Sequence, residues 1–174
     1  MPPVHYSAAG GHLDVLRFLL DVGVDKDQPT RASGSTPLHF AVSYSQLEIA
    51  RFLVDNGANW DQATTDSGDT PLHLAASNGS MEIARLLIEA GANKDLRRTE
   101  DGSTPLHVAA EEGHLDLVRL LIESGADSEI TTDNLTTALL LASGQGHAEV
   151  VTFLADEIGK VKTASQNQLH TRWC

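Results

Sequence analysis

The segment TPLHLAASNGSMEIARLLIEAG, from Thr70 to Gly91, recurs along the chain at a fixed interval, and that recurrence limits the possible folds more than any other feature. TPLH begins at Thr36, Thr70 and Thr104, at equal intervals, and TALL begins at Thr137, one position sooner than the same interval would place it. A degraded copy runs from Val4 to Gly23, with His5 one interval ahead of His39. A period of this length marks a unit that stacks on copies of itself, because one such unit cannot bury its own hydrophobic face. Five units are placed at about 2–27, 28–61, 62–95, 96–128 and 129–160, forming one domain over 1–159 that is followed by a tail at 161–174.

Each unit reads as two helices and a polar connector. Thr36, Thr70 and Thr104 are placed to cap a helix, and Pro37, Pro71 and Pro105 fall at the first helical position, where a missing N–H costs nothing. Leu38, Ala41 and Val42, with Leu72, Ala75 and Ala76 and then Leu106, Ala109 and Ala110, form the inward faces of these first helices. Second helices are expected near Leu47 to Asn56, Met81 to Ala90, Leu115 to Ser124 and Ala148 to Glu157, with apolar residues every three or four positions. Gly57, Gly91 and Gly125 stand where a left-handed residue ends a helix. Connectors such as NWDQATTDSGD read as reversing turns or narrow hairpins.

The two ends depart from this pattern. Met1 to Pro3 is expected to fray, with the first helix starting at His5. In the last unit Ala138 and Leu140 replace Pro and His, and Ile158 stands where Gly125 stands one unit earlier. The tail reads as a loose end, with Leu169, Trp173 and Cys174 available to fold over the last apolar face.

Composition narrows the function classes. Hydrophobic residues make up 41% of the chain but aromatics only 5%, which suits thin core layers of Leu, Ile, Val and Ala. Twelve Lys plus Arg against 24 Asp plus Glu leave a formal charge of -12. Such a field repels nucleic acid and anionic lipid and favours neutral or basic partners, besides keeping an elongated chain in solution. No apolar run approaches the roughly 18 residues that cross a bilayer, and MPPVHYSAAGG lacks the flank of a signal peptide. A cytoplasmic or nuclear location without membrane contact is therefore expected. The single cysteine, Cys174, excludes an intramolecular disulfide.

TPLHLAA, followed by NG or EG and then by a helix ending in LLIEAGA or LLIESGA, resembles the ankyrin repeat family over roughly Val4 to Gly159. The resemblance implies an all-α solenoid of stacked helix-turn-helix units joined by hairpin-like loops, with hairpins and first helices lining a concave face. It also implies a protein-binding role and no catalytic machinery. Under it the structural histidine falls on His39, His73 and His107 and its hydroxyl partner on Thr36, Thr70 and Thr104, with His5 a degenerate counterpart. Leu140 leaves the fifth unit without that bond. The interval between TPLH boxes is longer by one than the family's usual repeat, which implies an extra residue in the first three complete hairpins.

The regularly spaced histidines do not read as a metal site. Units advance about 10 Å each, whereas zinc ligands lie about 2 Å from the ion, so His39, His73 and His107 cannot converge. His12, His114 and His147 meet the same objection. No nucleophile elbow, P-loop or calcium-loop spacing occurs, and the DSGD run at Asp66 to Asp69 reads as a solvated hairpin. Neither an enzyme nor a cofactor is expected.

What is left is the exposed surface. Tyr44, Asn78, Glu111 and Glu112 occupy variable first-helix positions, and Trp60 stands where other units carry Lys26, Lys94 and Ser128. Tyr44 and Trp60 are candidate apolar contacts, although Trp60 would serve equally to cover its own hairpin. Asp66, Glu100, Asp101, Glu111 and Glu112 are candidates to meet basic groups. The expected function is a monomeric protein-protein interaction module that binds a partner with a basic surface through the concave face and hairpin tips. The alternative is an architectural spacer within a longer regulatory or scaffold protein.

Overall fold

A proline at the first position of a helix supplies a preset φ and lacks only an N–H that has no helical partner there. In the computed structural model, which describes the backbone of residues 1–171 and the side chains of residues 1–160, that device opens the first helix of four successive units. These helices are α1 (Pro3–Ala9), α3 (Pro37–Ser43), α5 (Pro71–Asn78) and α7 (Pro105–Glu111). Each is followed by a second helix: α2 (Leu13–Asp21), α4 (Leu47–Asp55), α6 (Met81–Glu89) and α8 (Leu115–Glu123). The fifth pair is α9 (Ala138–Gln145) and α10 (Ala148–Thr171). Among the described residues all regular structure is helical, and the connectors are turns.

The helices stack in two rows. In one, α1, α3, α5, α7 and α9 each pack on the next, and in the other α4, α6, α8 and α10 do the same. Alanine makes the first row possible: Ala41, Ala75, Ala76, Ala109, Ala110 and Ala142 are fully buried, so backbones approach without a large side chain between them. Leu38, Leu72 and Leu106 from the first helices, with Leu53, Leu87, Leu121 and Leu154 from the second, fill the layer between the rows. Burying one such leucine stabilises the fold by about 1.5–3 kcal/mol. Helices this short, such as α3 and α4, do not persist alone, so shared burial is what holds them.

Both ends correct the expectation from sequence. Helix α1 begins at Pro3, with Pro2 at its cap, so these residues are the start of an ordered unit and not a frayed lead. Pro3 lies one repeat interval ahead of Pro37 and is its counterpart. At the other end α10 does not stop near Glu157 but continues to Thr171. Gly57, Gly91 and Gly125 end the preceding second helices with φ of 74°, 100° and 89°, whereas the fifth unit has Ile158 in that place and its helix runs on through Gly159. The expected fold-back rests on the side chain of Leu169 and on Trp173 and Cys174, which lie outside the described residues.

Directional bonds tie the units together. In α3, α5 and α7 the capping threonine's backbone N–H donates to the Nδ1 of the histidine three residues on, at 3.1–3.2 Å. The threonine hydroxyl donates to the same nitrogen at 2.8 Å. With Nδ1 accepting, the proton must sit on Nε2, and there it is used. His39 Nε2 donates to the Asp69 carbonyl at 3.1 Å and His73 Nε2 to the Ser103 carbonyl at 3.0 Å, so each ring links its own helix to the residue preceding the next cap. The Nε2 of His107 is buried without a hydrogen-bond acceptor. The connector after it is one residue shorter, and the carbonyl of Thr136, equivalent to those of Asp69 and Ser103, lies near the ring together with that of Ile130 but makes no hydrogen bond of ordinary geometry with it. In the first unit His5 Nε2 reaches the carbonyls of Gln28 and Ser35 at 2.8 and 3.2 Å, while its buried Nδ1 faces Pro2 in place of threonine and has no partner.

Leu72→Ala is expected to destabilise the central layer by about 2–4 kcal/mol in denaturant unfolding, because the surrounding helices cannot collapse into the space. Loss below about 0.5 kcal/mol would remove Leu72 from the shared core.

Stability is also expected to fall on acidification through the histidines. Burial holds His39, His73 and His107 below the ordinary imidazole range, partly opposed by the backbone carbonyls of Asp69, Ser103 and Thr136 that face the three rings and, less, by the carboxylates of Asp69 near His39 and His73 and of Asp101 near His73 and His107. The folded rings thus stay neutral at a pH where the unfolded chain, titrating near about 6.5, already binds protons. The stabilisation is complete above that value and is lost as pH drops toward the folded values, by up to about 1.4 kcal/mol per pH unit for each ring. Urea midpoints at pH 7.5 and 5.0 should differ in this sense, and His73→Gln should shrink the difference. A midpoint unchanged by pH would contradict the account.

Candidate protein-binding surface

The hairpins between helix pairs are positioned by their own polar residues. Each is closed by a backbone bond of 2.9 Å: Thr30 N–H to Ser35, Thr64 to Asp69, Arg98 to Ser103 and Thr132 to Thr136. Gly68 and Gly102 turn the chain at φ of 79° and 73°, and an added Cβ would run into Thr99 at the first and into Arg97 and Asp133 at the second. The fourth hairpin has no glycine, so Leu135 takes the left-handed conformation at φ 59°, with its side chain 79% exposed.

Successive hairpins are bonded to one another at two levels. Near the tips the N–H of Thr65 donates to Ser33, that of Glu100 to Ser67 and that of Asp133 to Asp101, at 2.7–3.1 Å. Closer to the helices, Asp27, Asp61 and Asp95 accept from the N–H of Asn59, Asn93 and Asp127 at 2.8–3.0 Å. The same carboxylate-bearing segments form local turns, as where Asp25 accepts from the N–H of Asp27 and Asn93 from that of Asp95. Reading the sequence alone misses this ladder, although Asp or Asn at positions 25, 27, 59, 61, 93, 95 and 127 carries the signal. The turns between paired helices reach back in the same way. Gln46 donates to the Ala9 carbonyl at 3.2 Å, His114 to Ser77 at 3.1 Å and His147 to Glu111 at 2.8 Å.

On this scaffold Tyr44 and Asp66 come together. Both line one groove of about 340 Å³, with Phe40 and Leu74 from the first helices and Ser33 and Ser67 from the hairpins. Tyr44 is 61% exposed and Asp66 is exposed. The N–H of Ser67 donates to Asp66 at 2.8 Å and, with the Thr64 hydroxyl, holds its carboxyl below the usual carboxylate range. The groove thus joins three apolar or aromatic side chains, Phe40, Tyr44 and Leu74, to hydroxyl groups and the carboxylates of Asp66 and Asp69. Glu100 and Glu112 are exposed, and Glu111 is half-buried.

Three candidates have other engagements. Asp101 accepts two hydrogen bonds from Arg98, at 2.7 and 2.8 Å, and two more from the N–H and hydroxyl of Ser103, at 2.9 Å. These bonds hold its carboxyl far below the ordinary range and Arg98 far above its own, and Arg98 also faces Asp69 at 3.7 Å. Asp101 is thus an internal strut of the third complete hairpin, not a free carboxylate. Asn78, though exposed, donates to the carbonyls of Val42 and Ser43 at 3.3 and 3.4 Å. Trp60 is half-buried against the core and is not among the residues lining the Tyr44 groove.

Among the described residues no three His, Cys, Asp or Glu side chains are gathered in a metal-holding arrangement, and no helix is long and apolar enough to cross a membrane. The repeated histidines are spent on cap and inter-unit bonds. Two overlapping stretches, residues 1–64 and 56–132, match a family model described as ankyrin repeats in three copies. A search of curated proteins returns no match. The family is a non-catalytic scaffold whose general role is protein-protein interaction, and with most of the chain matched and the histidine-capped helix pairs in place, the protein belongs to the ankyrin repeat family.

Proposed function

We propose that the chain binds a protein partner through the concave face made by its first helices and hairpin tips, with Tyr44 as the apolar contact and Asp66, Glu100, Glu111 and Glu112 meeting basic groups. The observation that carries this reading is that Tyr44 and Asp66, which belong to different units, line the same groove. An exposed aromatic such as Tyr44, beside Phe40 and Leu74, gains most when a partner covers it, while exposed carboxylates nearby steer approach. The net charge of -12 acts in the same direction at longer range. Rigid presentation supports the reading too, because hairpins bonded to their neighbours lose little freedom on binding. Trp60 enters only as a secondary contact at its exposed edge, and Asp101 and Asn78 contribute by holding the surface in shape.

Once a partner is captured, binding kinetics separate the two kinds of residue. Tyr44→Ala is expected to speed dissociation with association little changed. Asp66→Lys with Glu112→Lys is expected to slow association at low salt and to matter less at high salt. Unchanged rates in these folded variants would move the interface off this face. A chain for which no partner binds under any of these conditions would act as an architectural spacer.

A further inference from the structure

The outer face of the first unit has the side chains of an interior unit. Val15 on α2 corresponds to Ile49, Ile83, Leu117 and Val150, which are 1–2% exposed, yet Val15 is 50% exposed. Phe18 corresponds to Phe52, Leu86, Leu120 and Phe153; the two leucines are 7% exposed and the two phenylalanines half-buried, against 63% for Phe18. Val22 at 60% and Tyr6 at 62% extend the same patch. Val15, Phe18 and Val22 follow one another at three- and four-position steps, one stripe along α2 of the width that a packed helix covers. A terminal unit of a solenoid ordinarily turns a polar face outward. This one does not.

The chain's own joints show what such a face receives. Where the following unit has phenylalanine, the preceding one lays an arginine over the ring: Arg17 over Phe52 at 5.0 Å and Arg119 over Phe153 at 4.5 Å. Arg17, Arg51, Arg85 and Arg119 occupy the same place in four successive units. Phe18 is the third aromatic of this set, and Asp14 and Asp21 flank it with negative charge suited to an arginine-bearing helix. A second copy stacked head to tail would not supply that contact, because the fifth unit has Thr152 at the arginine position and Ser143 where Ala110 stands one unit earlier.

We propose that this face is the receiving half of a unit-to-unit joint, and that its occupant is a further ankyrin-type helix pair packed ahead of α1, with an arginine from its second helix over Phe18. The face continues the interface that already joins each unit to the next, in the same register and with the same residue types. Tyr6 and Val15, with Tyr44, also line a mostly apolar groove of about 730 Å³ into which such a pair would press.

A direct test fuses a copy of Asp69–Gly102, one full period carrying Arg85, immediately ahead of Met1 of the whole chain, which keeps the register. Helical signal should rise, the unfolding midpoint should increase, and hydrogen exchange of the α2 amides should slow by about tenfold relative to the parent chain. Phe18→Ala should remove most of that gain in the fused protein while leaving the parent little changed. Arg85→Glu in the fused copy should act likewise. A fused unit that adds no helix, or α2 exchange that does not slow, would overturn the proposal. So would a gain indifferent to both substitutions. Sedimentation of the parent chain is the companion measurement: a concentration-dependent dimer abolished by Phe18→Asp would give the face to a second copy and overturn it as well.

Discussion

Everything in this structure depends on helix pairs that cannot bury their own apolar faces. Helices as short as α3 and α7 have too few internal bonds to form alone, and the leucines and alanines they carry find partners only on the next pair. Burial is consequently shared at every joint. The histidine bonds add direction to it, because an Nε2–H that reaches the carbonyl before the next cap fixes both the height and the rotation at which the next unit sits.

The ends show what sharing implies. Wherever a neighbour is present, the position of Val15 is closed to solvent; at the first unit it is half open. In the fifth unit Leu140 replaces histidine and is 57% exposed, and the shortened connector before it leaves His107 Nε2 near the Thr136 carbonyl without a well-formed bond to it. The joint between the fourth and fifth units therefore keeps its apolar contacts with a poorly formed directional bond. Stability in a stack of this kind is local, decided joint by joint, and the surface offered to a partner inherits the rigidity of the joints beneath it.

Much of the fold is legible in the sequence because the repeat fixes spacing and each position answers to one physical demand. Thr, Pro and His at the cap, Ala at the close approach and Gly at the helix end all stand where a single residue type fits best. The misses fall where no such demand is visible locally. Pro3 reads as part of a frayed lead for lack of a threonine before it, although the period alone places it with Pro37. The length of α10 turns on Ile158 replacing a glycine, whose consequence is the absence of a stop and not the presence of a signal. For the surface, variable positions can be named but not their engagements. Asp101 reads as a free hairpin carboxylate, whereas four hydrogen bonds occupy it, and Trp60 reads equally as an exposed contact or as the cover of its own hairpin, with the structure placing it half-buried on the core. The grouping of Tyr44 with Asp66 depends on how far one hairpin leans toward one helix, which spacing does not encode.

Native-state hydrogen exchange in low denaturant tests the central claim, that joints between neighbours and not individual helices hold the structure. Amides of α5 and α6, whose unit has well-formed histidine bonds at the joints on both sides, should open only with the highest free energies. Those of α9, whose joint has a poorly formed histidine bond, and of α2, whose outer face is open, should exchange through smaller openings at lower denaturant. Equal protection across all five units, or greatest protection in α9, would contradict the account.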